Sequence, residues 1–172
     1  ARLPSTAFLA IDTDDSKVWG FQPTANYTED ETIQLKADIA KIMDSPEEYP
    51  QIYQWLDPQL SIAEDFEIAF GAGMIRQVGR LGLFASAEHI VNKIQAQLNT
   101  ILNLREESER LLPDELEVHI VSSLAGGTGS GIFLDIAAMI KTINPNAAVM
   151  GHFIMPDCFK SLGNYAKLAA NG

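Results

Sequence analysis

Thr6-Ala7-Phe8-Leu9-Ala10-Ile11 is an almost wholly apolar run that stops at Asp12-Thr13-Asp14-Asp15. It lacks a helical period, so it reads as a strand buried on both faces, as in a parallel sheet. Gly20, Pro23 and Asn26 then mark a loop. Glu29-Asp30-Glu31 has the acids of a helix start, and Ile33, Ile39, Ile42 and Met43 fall roughly on one side of the helix that should follow. Ser45-Pro46-Glu47-Glu48 resembles an N-cap and first turn leading to a short helix with Tyr49, Ile52, Tyr53, Trp55 and Leu56, ended by Asp57-Pro58. Residues 22–70 are therefore expected to form a helical insertion.

Gly71-Ala72-Gly73 breaks the chain before a new pattern. From about Arg76, Val78, Leu81, Leu83, Ile90, Val91, Ile94, Leu98, Ile101, Leu102 and Leu104 recur near helical spacing, with Glu88, Asn92, Gln95, Asn99 and Arg105 opposite. The spacing predicts one long helix, kinked near Gly82 and closed by Leu112-Pro113-Asp114. Val118 to Ser123 is a second apolar strand, a helix is expected over about 132–143, and Ala147 to Ile154 is a third strand, stopped by Met155-Pro156-Asp157. Asn164 to Ala170 starts a further helical pattern. Strand, glycine-rich loop, helix and strand over 118–154 make a βαβ unit with a right-handed crossover. The fold class is α/β.

Composition narrows the partners. The 172 residues carry 23 acids against 12 bases, a net charge of −11 and an apolar fraction of 47%, which fits one globular domain. That charge repels nucleic acid and anionic membranes. No apolar stretch is long enough to span a bilayer. Cys158 is the single cysteine, so an internal disulfide and a CxxC zinc site are excluded, and a reducing, cytoplasmic setting is the default. The acidity is uneven: residues 1–117 hold 21 acids, and 118–172 hold only Asp135 and Asp157. The last third is nearly neutral, and a phosphate would approach it at least electrostatic cost.

Within that neutral third lies Ala125-Gly126-Gly127-Thr128-Gly129-Ser130-Gly131. It leaves the carboxyl end of a strand and enters a helix, where free N–H groups and the positive end of the helix dipole converge. Glycines let a ligand approach the backbone, and Thr128 and Ser130 add hydroxyls, so the loop reads as a phosphate cradle. No Lys follows the glycines, which excludes GxxxxGK[ST]. GxGxxG fails in both registers, at Ile132 and at Leu134, and this counts against a dinucleotide-binding domain. A tight turn packing helix on strand explains one or two glycines, but not four. The two hydroxyls could equally cap the helix.

The loop and the strand Val118–Val121 before it resemble the phosphate-binding glycine signature of the tubulin and FtsZ superfamily. Phe8 to Asp14 is similar to the second strand of the bacterial members and the polar loop after it. Gly71-Ala72-Gly73, with Gly79-Arg80 and the long helix, resembles the loop that senses the γ-phosphate. Val149 to Pro156 is similar to the next strand and its ribose-side loop. The long segment between the first two elements points to divergent prokaryotic tubulin-like proteins. The resemblance implies an incomplete three-layer Rossmann-like parallel sheet with helices on both faces, 1–172 forming part of a nucleotide-binding domain. The family's first strand, with its own glycine-rich loop, is expected before Ala1. The base-contacting helix, the acidic loop that completes a neighbour's active site and the C-terminal domain are likewise expected outside the segment.

The resemblance also implies that Gly126, Gly127, Thr128, Gly129, Ser130 and Gly131 hold the α- and β-phosphates of GTP or GDP, and that Ala72 and Gly73 offer N–H groups to the γ-phosphate. Asp12, Asp14 and Asp15 could reach Mg²⁺ through water, or form a solvated strand-end turn. The parent would hydrolyse GTP on self-assembly into filaments; the alternative is a tubulin-like scaffold or interaction module with weak or no nucleotide binding. The segment alone is expected to be inactive, and its catalytic residues are unassigned. Arg76 and Arg80 share a helix face beside the second loop and could neutralise phosphate or pair with acids such as Glu64 or Glu67. His89, His119 and His152 lack metal spacing; His119 and His152 read as core or strand-end residues. Cys158 has no evident activating partner.

Overall fold

A computed structural model describes residues 6–14, 27–45, 47–57, 72, 75–107 and 116–159. Asp15, Gly71, Gly73, Glu64, Glu67, Leu112–Asp114 and the helical pattern after Asn164 lie outside them. The elements are β1 (Ala10–Asp12), β2 (Thr32–Gln34), α1 (Ile39–Asp44), α2 (Pro50–Tyr53), α3 (Arg76–Ala85), α4 (Ala87–Glu107), β3 (Glu117–Ser123), α5 (Thr128–Ile143) and β4 (Ala148–Ile154). β1 pairs parallel with β2, and β3 pairs parallel with β4 from Glu117↔Ala148 to Ser123↔Ile154. The chain is an α/β protein with the parallel pairs and crossover helix of an incomplete Rossmann-like domain.

The apolar spacing builds the core. Ile90, Ile94 and Leu98 of α4 and Ile132, Ile136 and Ile140 of α5 each recur at four-residue intervals, and each set is buried in one cluster. Ile33 and Leu35 from the β2 segment, Leu83 of α3 and Ala147 before β4 join it. A second cluster holds Ile42, Ile52, Leu56, Ala72, Val78 and Leu81. Between the strand pairs lies a cavity of about 620 Å³, lined on one side by Leu9 and Ile11 and on the other by Val118 and Ile120, with Ile132 and Ile136 among the residues that close it.

Three expected elements change. Residues 29–44 are not one helix: Glu29–Glu31 is a single 3₁₀ turn, and Thr32–Gln34 is a strand. The Glu31 carboxylate accepts from the Thr28 N–H at 2.9 Å and so caps the start of the turn, while Leu35 donates to the Asp12 carbonyl at 2.7 Å and draws the chain after it into the sheet. That second bond is long-range, which is why local pattern missed it. Ser45 caps the C-terminus of α1 and does not start α2, which opens on Pro50 at a position where no N–H is needed. The long helix breaks at Ser86, not Gly82. The Ser86 N–H closes α3 on the carbonyls of Gly82 and Leu83, and its own carbonyl accepts from Ile90 to start α4.

The first strand is also shorter than its apolar run. Residues 6–9 have no regular structure, and Phe8 is 44% exposed. β3 is covered on one face only among the described residues. Val118 and Ile120 are half-buried, whereas His119, Val121 and, from β4, His152 and Ile154 are exposed.

Candidate phosphate-binding site

Helix α5 begins at Thr128, four residues earlier than the apolar pattern predicts, so Gly129, Ser130 and Gly131 form its first turn. The N–H of Gly131 donates to the Gly127 carbonyl at 3.1 Å. The N–H groups of Gly126, Gly127, Thr128, Gly129 and Ser130 have no acceptor among the described residues. They form one run of free donors at the positive end of a 16-residue helix, directly beyond the carboxyl end of β3. Anion binding is what such a terminus does chemically.

The four glycines divide by what surrounds them. At Gly126 an added Cβ would meet nothing within 4 Å among the described residues. At Gly127 it would lie 2.7 Å from both the Ala72 methyl and the Ile75 nitrogen. At Gly129 it would overlap the Ser122 hydroxyl, and at Gly131 the Arg76 carbonyl. Gly127 and Gly131 face backbone and are therefore required by packing, which is the one or two glycines that a tight turn explains; at Gly129 only the rotatable Ser122 hydroxyl stands in the way. Of the four, Gly126 alone has no neighbour in the way among the described residues.

Two other segments reach the loop. Buried Ala72 packs on Gly127, and its carbonyl accepts from Ile75 at 2.9 Å to lead into α3. The end of β1 supplies Thr13, whose hydroxyl lies 2.7 Å from that of Thr128 although 115 residues separate them. The Ser130 hydroxyl donates to the Gly126 carbonyl. Both loop hydroxyls thus have protein partners, and the free donors are backbone N–H groups. The structure brings Ala72 and residues 126–131 together; Gly73 is outside the described residues. Sequence reasoning missed Thr13, whose only signal is a hydroxyl between two aspartates at a strand's carboxyl end.

The decisive comparison is with families of sequence. A family model described as tubulin-like matches residues 1–172. The chain belongs to the tubulin-like family. No curated protein and no solved structure matches it. Among its described residues, no helix is long and apolar enough to cross a membrane.

In this tubulin-like chain Arg80 binds Asp135 of α5 through two bonds, Nε to Oδ2 at 2.8 Å and Nη2 to Oδ1 at 2.9 Å. Its guanidinium lies 4.5 Å from the centre of the Trp55 ring. Arg80 is thereby committed to joining α3 to α5. Arg76 donates to the Leu124 carbonyl at 3.2 Å and stands beside the loop. His119 and His152 are exposed neighbours on adjacent strands, with Nδ1 and Nε2 2.9 Å apart, and are not core residues. Cys158 is exposed.

The aspartates test the fit of a metal ion. Asp12 Oδ1 accepts from the Thr13 N–H at 2.7 Å and the Asp14 N–H at 3.4 Å, so much of its capacity is used by its own turn. No group of three or more His, Cys, Asp or Glu side chains among the described residues could hold a metal ion. A Mg²⁺ ion would fit here only when phosphate oxygens supply most of its ligands. Burial, and secondarily the Asp12 carboxylate, push the Asp14 carboxyl above its ordinary value. A raised acid favours its protonated form in the fold, so rising pH ionises the unfolded chain first and lowers stability. Asp14→Asn should therefore raise the urea midpoint at neutral pH, and the gain should vanish below about pH 4. A lower midpoint at neutral pH would contradict this.

Proposed function

We propose that residues 1–172 are the phosphate-binding part of a GTP-binding domain, whose full-length protein hydrolyses GTP on assembling with copies of itself. The observation that carries this reading is the run of free N–H groups from Gly126 to Ser130, open at Gly126 and flanked by Ala72. Backbone donors of this kind hold phosphate without a lysine, which suits a chain of net charge −11. GTP or GDP would be the ligand, with Ala72 and Gly73 toward the γ-phosphate and Mg²⁺ carried on the phosphates. Residues 22–70 form an insertion in this domain, and the protein works in the cytoplasm of a prokaryote. The cavity between the strand pairs is where a further parallel strand would join them into one sheet.

Hydrolysis in such a site is mainly electrostatic: fixed donors stabilise the charge that develops on the transferred phosphoryl group. In the full-length protein, Gly126→Val should abolish GTP-dependent light scattering while the urea midpoint stays unchanged. Gly126 is the informative position because an added side chain there meets no described residue, whereas Gly129→Val would also disturb Ser122. Undiminished scattering by Gly126→Val would refute the phosphate-loop assignment.

A second reading has its own support. Packing against backbone accounts for Gly127 and Gly131, and both loop hydroxyls are engaged within the protein. A tubulin-like scaffold that binds no nucleotide would keep these features. It would not require Gly126 to lack a side chain, so the same variant separates the two.

A further inference from the structure

We propose that Thr13 is a positioning residue of the phosphate loop, holding the first turn of α5 through the Thr128 hydroxyl and setting which way that hydroxyl donates. This rests on the phosphate-binding reading above. Thr13 is completely buried, and a buried hydroxyl without a partner is costly, so its contacts are selective rather than incidental. Its N–H donates to Asp12 Oδ1 at 2.7 Å, which fixes the backbone of the turn. Its Oγ1 lies 3.3 Å from that same carboxylate oxygen and 2.7 Å from Thr128 Oγ1.

The proton arrangement follows from what each group can do. Asp12, ionised, only accepts; each threonine has one proton and two lone pairs. Without an anion, Thr13 donates to Asp12 and Thr128 donates to Thr13. The Thr128 oxygen then presents only lone pairs to the space in front of the helix. When a phosphate enters, Thr13 turns its proton to Thr128, and Thr128 donates to the phosphate. The 3.3 Å bond to Asp12 is the weaker of the two that Thr13 makes, so it is the one given up. Thr13 thus serves as a reversible donor behind the loop. Neither Val nor Ala at position 13 can take that part, whereas Ser can.

The test titrates pyrophosphate into the wild-type chain, Thr13→Val and Thr13→Ser, following the ³¹P shift, with urea unfolding run in parallel. Thr13→Val keeps the shape and should weaken binding about fivefold, equivalent to one neutral hydrogen bond. Thr13→Ser should bind within about twofold of wild type, whatever its effect on stability. If Thr13→Val does not fold, Thr13→Ala against Thr13→Ser is read in the same way. Equal affinity in wild type and the hydroxyl-free variant overturns the role of Thr13 alone. Equal weakening by Thr13→Ser and Thr13→Val also overturns it, because loss of packing then explains both. A wild-type chain that does not respond to pyrophosphate overturns the phosphate-binding reading and this inference together.

Discussion

Gly79→Ala should destabilise the fold by about 3 kcal/mol, read as a lower urea midpoint. The methyl group would overlap the Gly127 carbonyl oxygen and lie 2.8 Å from Thr128 Cα, and both obstacles are backbone. On α5, Gly131 meets the same helix from the other side, against the Arg76 carbonyl. The two helices thus cross backbone to backbone at Gly79 and Gly131, and the crossing sets where α5 begins. Helix propensity acts in the opposite direction, since alanine in a helix interior gains about 1 kcal/mol over glycine. A net loss therefore isolates the steric term. Gly126→Ala is the internal control and should stay within about 0.5 kcal/mol of wild type. A stable Gly79→Ala variant would mean that α3 and α5 do not meet as described.

Arg80→Ala should cost about 2 kcal/mol. The guanidinium makes two charge-assisted bonds to Asp135 and lies over Trp55, with Phe84 at 5.4 Å. The side chains remain 33% and 21% exposed, so screening holds the effect well below that of a fully buried pair. Arg80→Lys should recover part of the loss, because the charge is kept and the planar fork is not. A double-mutant cycle with Asp135→Asn measures the pair directly. A coupling energy near zero would assign the loss to stacking on Trp55 instead.

The βαβ unit from β3 to β4 was legible because three local signals agree: an apolar run, a glycine-rich junction and a four-residue apolar repeat. The start of α5 was not legible, since Gly129 and Gly131 are poor helix formers and the backbone contact of Gly131 with α3 is long-range. Acids at 29–31 imitate a helix start, yet the next three residues pair with β1 across the chain, and nothing local encodes that partner. The site shows the same division. Gly126, Gly127 and Ala72 could be named from the motif and the resemblance, because glycine content and order are local facts. Thr13 could not: a threonine among aspartates looks like any polar turn until Thr128 stands 2.7 Å away. Likewise, the acid partner of Arg80 that the structure supplies is Asp135, 55 residues along the chain.

The central claim, that residues 126–130 receive a nucleotide phosphate, is tested most directly by an ¹H–¹⁵N NMR titration of the 172-residue chain with GDP. The account predicts weak, saturable binding. The amide shifts of Gly126, Gly127, Thr128, Gly129 and Ser130 should move, and that of Gly131, already bonded to Gly127, should move less. Saturation with no shift in those five amides, or shifts confined to other parts of the chain, would contradict it.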